Sequence, residues 1–196
     1  MHYKGKEVKE LGQNHSDLQG FGEQIRMELS KRIPHGKDVK ALDVGTGFAI
    51  TTEFLARTLS NGSRIWTLDP SGGVLKHAKD HLRAKGLDSR IEFMHGSIDR
   101  VDLPDGFFDI LVSAMVLHHV KDLNQAMNEM ARVVGGQGRI LIVDYNPSAA
   151  NKLKFKAEHR ERDFFPAKDV AIVLKSLGFS VESADFGLWY LVEGKR

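Results

Sequence analysis

The apolar run Ala41-Leu42-Asp43-Val44 opens into Gly45-Thr46-Gly47-Phe48-Ala49. A strand leading into Gly-x-Gly makes a tight turn whose backbone a ligand can approach closely. In dinucleotide sites the helix after that turn offers its N–H groups to an anionic pyrophosphate. Here Asp43 stands two residues before the first glycine, where a carboxylate repels phosphate and attracts a cation. The expected ligand is therefore a nucleoside carrying positive charge. A second acid, Asp69, ends the run Arg64-Ile65-Trp66-Thr67-Leu68 and can accept both hydroxyls of a ribose diol. Gly96-Ser97-Ile98 combines a glycine, a small polar residue and an apolar one, suited to the edge and face of an adenine. His118 and His119 are candidate bases, His119 the favoured of the two, because imidazole exchanges its proton near neutral pH. Either one could instead pack or cap a turn. Asp144 and Tyr145 stand at another strand end, as candidate substrate-side residues.

These residues need elements to position them. From residue 40 onward strands and helices alternate, with strands expected at 40–45, 63–68, 90–94, 107–113 and 138–144. Helices are expected at 48–59, 72–85 and 122–134, the last two closed by Gly86 and by the Gly135-Gly136 pair. Such alternation builds a parallel sheet with helices on both faces. Ahead of it, Leu18, Phe21, Ile25 and Leu29 recur at helical spacing until Pro34 and Gly36. After it come a charged helix around 149–163, a helix around 167–177, and strands near 179–185 and 188–193. The last two strands are joined only at Gly187, too short a link for a parallel crossover, so they must be antiparallel. Ligands of such sheets bind beyond the carboxyl ends of the strands, which is where the chemistry-bearing residues fall.

Four features in order resemble the class I S-adenosylmethionine-dependent methyltransferases. They are Asp43-Val44-Gly45-Thr46-Gly47, the strand-end acid Asp69, Leu103-Pro104-Asp105-Gly106-Phe107-Phe108-Asp109, and Val116-Leu117-His118-His119-Val120. The resemblance covers about 38–145, and within the class it points to quinone-biosynthesis and related small-molecule methyltransferases. It implies a single-domain α/β fold, Rossmann-like and doubly wound, with a mostly parallel seven-stranded sheet and an antiparallel final strand. Residues 1–37 would form an N-terminal helical cap, 38–145 the cofactor-binding core, and 146–196 a lid helix with the C-terminal strands. The resemblance implies that Asp43 faces the ammonium and sulfonium of S-adenosyl-L-methionine, and that Gly45, Thr46 and Gly47 pass beneath its methionine portion and ribose. Asp69 and Pro70 would hold the ribose, Gly96, Ser97 and Ile98 the adenine, and Ala114 and Met115 would border the reacting methyl. Two positions depart from the pattern. Ala49 replaces a third glycine, and Ser97 replaces the commoner aspartate, so it accepts a bond without charge.

Other features carry less. His77 and His81 have a metal-ligand spacing but no carboxylate partner in the pattern, and read as a solvated helix face with no metal. Asn146-Pro147-Ser148 resembles the Asn-Pro-Pro of amino-group methyltransferases but follows the fifth strand rather than the fourth. Between Lys152 and Asp163 five bases face three acids, either a solvated face or a lid gripping an anionic substrate with His159, Phe164 and Phe165. The N-terminal helix, with Leu18 and Phe21, is either a second lid or core. A net charge of +2 argues against a nucleic-acid partner, and zero cysteines exclude disulfides and thiolate metal sites. No apolar run is long enough to span a membrane, and a cytoplasmic protein is expected. The expected activity is methyl transfer to a small-molecule acceptor. The alternatives are a protein or RNA methyltransferase docking through the basic 152–162 helix, a cofactor-binding protein without transfer activity, and an NAD-dependent oxidoreductase. Asp43, and Ile50 where a third glycine would stand, argue against the last.

Overall fold

A computed structural model describes residues 15–148 and 164–196, with the backbone alone for 15–21. Its elements are α1 (His15–Ser30), β1 (Lys40–Val44), α2 (Ile50–Thr58), β2 (Arg64–Asp69), α3 (Gly72–Ala84), β3 (Ile91–His95), β4 (Phe108–Ala114), α4 (Leu123–Val133), β5 (Val134–Tyr145), α5 (Ala167–Ser176), β6 (Ser180–Asp185) and β7 (Trp189–Lys195). The seven strands form one sheet in the order β3-β2-β1-β4-β5-β7-β6. Strands β1 to β5 pair parallel, and β7 runs antiparallel to both β5 and β6. The charged helix expected around 149–163, with His159, lies outside the described residues.

The central strands are apolar on both faces, because helices cover both. On one face α1, α2 and α3 bury Ile25, Leu29, Ile33, Leu55, Ala78 and Leu82 against Ala41, Ile65 and Val112. On the other, α4 and α5 bury Ala126, Met127, Met130, Val170 and Leu174 against Leu42, Leu111 and Ile142. Ile25 and Leu29 of α1 are thus core, while the side chains of Leu18 and Phe21 lie outside the described residues. Arg32, just beyond that helix, also reaches Glu193 on β7 at 3.5 Å. From β1 the chain builds outward through β2 and β3, then returns to place β4 on the other side of β1. That reversal leaves a crevice at the carboxyl ends of β1 and β4.

Two of the boundaries that differ from the sequence reading have a clear physical reason. Helix α2 starts at Ile50 rather than at 48, because Ala49 sits in the left-handed region with φ 61° and cannot belong to the helix. The Gly135-Gly136 pair does not stop a helix. Helix α4 ends at Val133, and the glycines lie inside β5, where the pairing with β4 jumps from Phe108–Val134 to Ile110–Arg139. A Cβ at Gly135 would stand 3.3 Å from the Gly106 carbonyl oxygen, so close backbone approach explains the glycine there.

Candidate active site at the carboxyl edge of the sheet

The turn after β1 is shaped by its glycines. Gly45 N–H and Thr46 N–H both donate to the Leu68 carbonyl, at 2.8 and 3.2 Å, which folds the turn over the end of β2. Gly45 has φ 81°, and a Cβ there would lie 2.3 Å from Val116 Cγ2. Only glycine meets both the angle and the contact. Gly47 N–H donates to Asp69 Oδ2 at 3.3 Å, while Asp69 Oδ1 accepts from Ser71 N–H at 2.9 Å. The second acid therefore faces the turn. Ala49 and Met115 are the two described non-glycine residues with positive φ, at 61° and 59°. Strain of this kind gathers at functional sites, and both residues flank the crevice.

Asp43 is fully buried, so it does not line an open surface. Its Oδ2 accepts from Thr52 Oγ1 at 2.5 Å and from Thr67 Oγ1 at 3.2 Å, while its Oδ1 has no hydrogen-bond partner. Thr67 in turn meets Thr46 Oγ1 at 2.7 Å and Thr52 Oγ1 at 3.1 Å. This threonine cradle spans the turn, α2 and β2, and the sequence reading missed it. Burial raises the Asp43 pKa to about 7, against the lowering effect of the two hydroxyls. At neutral pH this buried carboxyl is therefore poised between its two forms.

At the end of β3, Gly96 N–H donates to the Asp69 carbonyl at 3.1 Å, and His95 Nε2 bonds the Pro70 carbonyl at 3.0 Å. These contacts tie the expected adenine side to the expected ribose side. Ser97 is exposed and donates to Asp99 Oδ2 at 3.0 Å. Ile98 is buried in the core rather than presented to an open face. Asp99 was missed, although an acid two residues after Ser97 was a visible signal. The loop that follows is held by Arg132 of α4, which bonds the Val101 and Leu103 carbonyls and the Asp105 carboxylate at 2.8, 2.9 and 2.7 Å.

The two histidines separate clearly. His118, in the short turn after β4, places Nδ1 2.7 Å from Asp144 Oδ1, and its backbone N–H donates to Asp144 Oδ2 at 3.3 Å. Tyr145 N–H adds a third bond to the same carboxylate at 2.7 Å. Asp144, expected on the substrate side, is instead buried and turned onto His118. The Asp144 carboxylate orients His118, while His119 is exposed. Rings surround it: His119, Phe164 and Tyr145 lie at centroid distances of 4.1, 5.5 and 5.6 Å. Burial, and then the charge of Asp144, push the Tyr145 phenol up to about 12. Beside Asp144 in the β5–β7 register, the Tyr190 hydroxyl is buried without a hydrogen-bond partner.

The remaining candidates have structural partners. His81 bonds Glu53 at 3.0 Å, with Lys85 and Arg57 on the same carboxylate. Among the described residues no group of His, Cys, Asp or Glu is arranged to hold a metal ion. Asn146 ties the end of β5 to the β6–β7 turn through Asp185 and the Gly187 carbonyl, at 2.8 and 3.1 Å. Among the described residues no helix is long and apolar enough to cross a membrane.

Comparison with known proteins places this geometry. Residues 42–142 match the family model described as a methyltransferase domain. A ubiquinone/menaquinone biosynthesis C-methyltransferase, UbiE, of Pectobacterium atrosepticum is 26% identical over 117 residues, covering 60% of this chain and 47% of that protein. The methyltransferase GfsG of Streptomyces halstedii is 32% identical over 123 residues, covering 63% of this chain and 44% of that protein. The chain thus spans about half the length of these curated relatives. A SAM-dependent methyltransferase from Aquifex aeolicus superposes with a TM-score of 0.72 at 17% identity, covering 86% of this chain and 88% of that one. A geranyl diphosphate methyltransferase in complex with SAM superposes with a TM-score of 0.74 at 12% identity, covering 89% of this chain and 85% of that one. The glycine turn that a Cβ would obstruct and the orphaned Asp43 oxygen beneath it fit a close-lying, cationic nucleoside. The chain belongs to the methyltransferase-domain family of class I S-adenosylmethionine-dependent enzymes.

Proposed function

We propose that the protein methylates a small-molecule acceptor, with His118 as the base that receives the acceptor's proton. The observation that carries this reading is the 2.7 Å bond between His118 Nδ1 and the buried Asp144. A carboxylate at Nδ1 selects the tautomer whose lone pair is on Nε2, and it stabilises the imidazolium formed when that nitrogen takes a proton. Asp144 acts through the imidazole it holds, so it is a positioning residue. Phe164 and Tyr145 flank the imidazole and exclude water from one side of it.

Residues 38–145 act as the cofactor-binding core. S-Adenosylmethionine, when bound, supplies a methyl carbon on a sulfonium, and its neutral thioether leaving group requires no acid. Gly45, Thr46 and Gly47 hold the methionine portion and ribose from below, and Asp69 with Pro70 takes the ribose hydroxyls. Gly96 and Ser97 meet the adenine. The Ser97 hydroxyl donates a hydrogen bond to Asp99 Oδ2 and accepts one from Asp99 N–H at 3.4 Å, which leaves one lone pair for an amino group. Ala114 and Met115 border the methyl group. Alignment of acceptor and methyl supplies most of the acceleration, up to ~7–11 kcal/mol, and the base adds about 10²–10⁴-fold where the acceptor must lose a proton.

A small acceptor is supported by the relatives named for ubiquinone/menaquinone biosynthesis and by the net charge of only +2. The test is transfer of labelled methyl groups into fractionated cell extract. Label in the small-molecule fraction, insensitive to added salt, is the expected result. Label in protein or RNA, lost steeply with salt as released counterions would require, would refute the small-acceptor reading.

A further inference from the structure

We infer that Asp43 and its threonine cradle discriminate the sulfonium cofactor from its thioether product, by releasing more of the carboxyl proton to solvent when the cofactor binds than when the product binds. This rests on the reading of the glycine turn as the cofactor site. The geometry has three parts. First, Oδ2 is saturated, taking the Thr52 and Thr67 hydroxyls, and Thr46 supplies Thr67 in turn. Second, Oδ1 has no hydrogen-bond partner and holds the unused lone pairs of a fully buried carboxyl. Third, among the described residues the groups facing it supply no positive charge. Thr67 and the acid Asp69 come from β2, Thr52 from α2, and the register neighbour on β4 is the apolar Val112. Glu53, next to Thr52, is engaged by Lys85, His81 and Arg57 instead.

An isolated buried carboxyl of this kind keeps a proton until a cation arrives to balance its charge. Cofactor and product share the ammonium, the carboxylate and the nucleoside. They differ by the methyl group and the one positive charge on sulfur. The cofactor therefore favours ionised Asp43 more than the product does. Each pKa unit of that difference is a tenfold preference for cofactor over product above the titration range. After methyl transfer the sulfur is neutral, and Asp43 takes its proton back from solvent.

The experiment is isothermal calorimetry of the full chain at pH 6.5, in buffers of different ionisation enthalpy, with S-adenosylmethionine and S-adenosylhomocysteine. The expected result is release of about half a proton with the cofactor and far less with the product. Between pH 6 and 8 the ratio of the two dissociation constants should rise several-fold in favour of the cofactor. Asp43→Asn should abolish both effects. Thr67→Val, which removes one donor from Oδ2, should move the release to higher pH. Equal proton release with both ligands, or release that persists in Asp43→Asn, would overturn the inference while leaving the cofactor reading intact. Absence of cofactor binding to the unsubstituted chain would overturn both.

Discussion

Replacing Asp43 by asparagine should change how stability depends on pH, whatever the protein binds. The Asp43 carboxyl titrates at about 7 in the fold against an ordinary value of 3.8, because burial disfavours its charge. Three pKa units correspond to about 4 kcal/mol of destabilisation once the group is ionised, at 1.36 kcal/mol per unit. The sign follows from proton binding. Between pH 4 and pH 7 the folded chain holds a proton that the unfolded chain has lost, so stability falls as pH rises and levels off above 7. Asparagine removes this dependence, and its carbonyl can still accept from Thr52 and Thr67. Its amide NH₂ then takes the place of Oδ1, which has no partner, at a cost of about 1–3 kcal/mol. The net gain at pH 8 should be about 1–3 kcal/mol. Between pH 5 and pH 8 the unsubstituted chain should lose roughly 3 kcal/mol more than the variant. Urea unfolding at pH 5, 6, 7 and 8 measures this directly, and the difference in slope is independent of the amide cost. Parallel pH profiles for the two chains would refute the reasoning.

His118→Ala and Asp144→Asn should each lower kcat by about 10²–10⁴-fold, with cofactor affinity by calorimetry changed less than threefold. A full-rate Asp144→Asn would remove the carboxylate from the account. Gly45→Ala forces a Cβ to within 2.3 Å of Val116 and an alanine to φ 81°, and should destabilise the fold by about 2–5 kcal/mol in a denaturant titration. Adding Val116→Ala, which removes the clashing methyl groups, should recover part of that loss. Arg132→Ala should weaken cofactor binding without affecting the pH dependence of kcat. It releases the loop after Ser97 but touches neither histidine, and paired calorimetry and pH-rate profiles check both halves.

The sheet was legible because its rules are local. Alternating apolar and helical segments imply parallel pairing, and the short link at Gly187 leaves β7 no direction but antiparallel. The glycine turn and Asp69 were legible for a similar reason: each stands at a strand end, and strand ends converge in this topology. What stayed hidden depends on contacts between distant segments. Asp144 is 26 residues from His118, and nothing local to either histidine tells which one its carboxylate will reach. The cradle of Asp43 draws Thr52 from a helix and Thr67 from the next strand, so no spacing announces it. Gly135 and Gly136 look like a helix stop in any linear reading. They lie instead where the β4–β5 register shifts and Gly135 closes on Gly106, visible only once those strands are paired.

The central claim is that the glycine turn and Asp69 together form an S-adenosylmethionine site. Calorimetric titration of the full chain and of Asp69→Ala with S-adenosylmethionine, and of the full chain with NAD, tests it most directly. The account predicts one cofactor per chain and no binding of NAD. It predicts a loss of about 10–100-fold in affinity in Asp69→Ala, from the charge-assisted hydrogen bonds removed. Unchanged affinity in Asp69→Ala, or binding of NAD in place of S-adenosylmethionine, would contradict it.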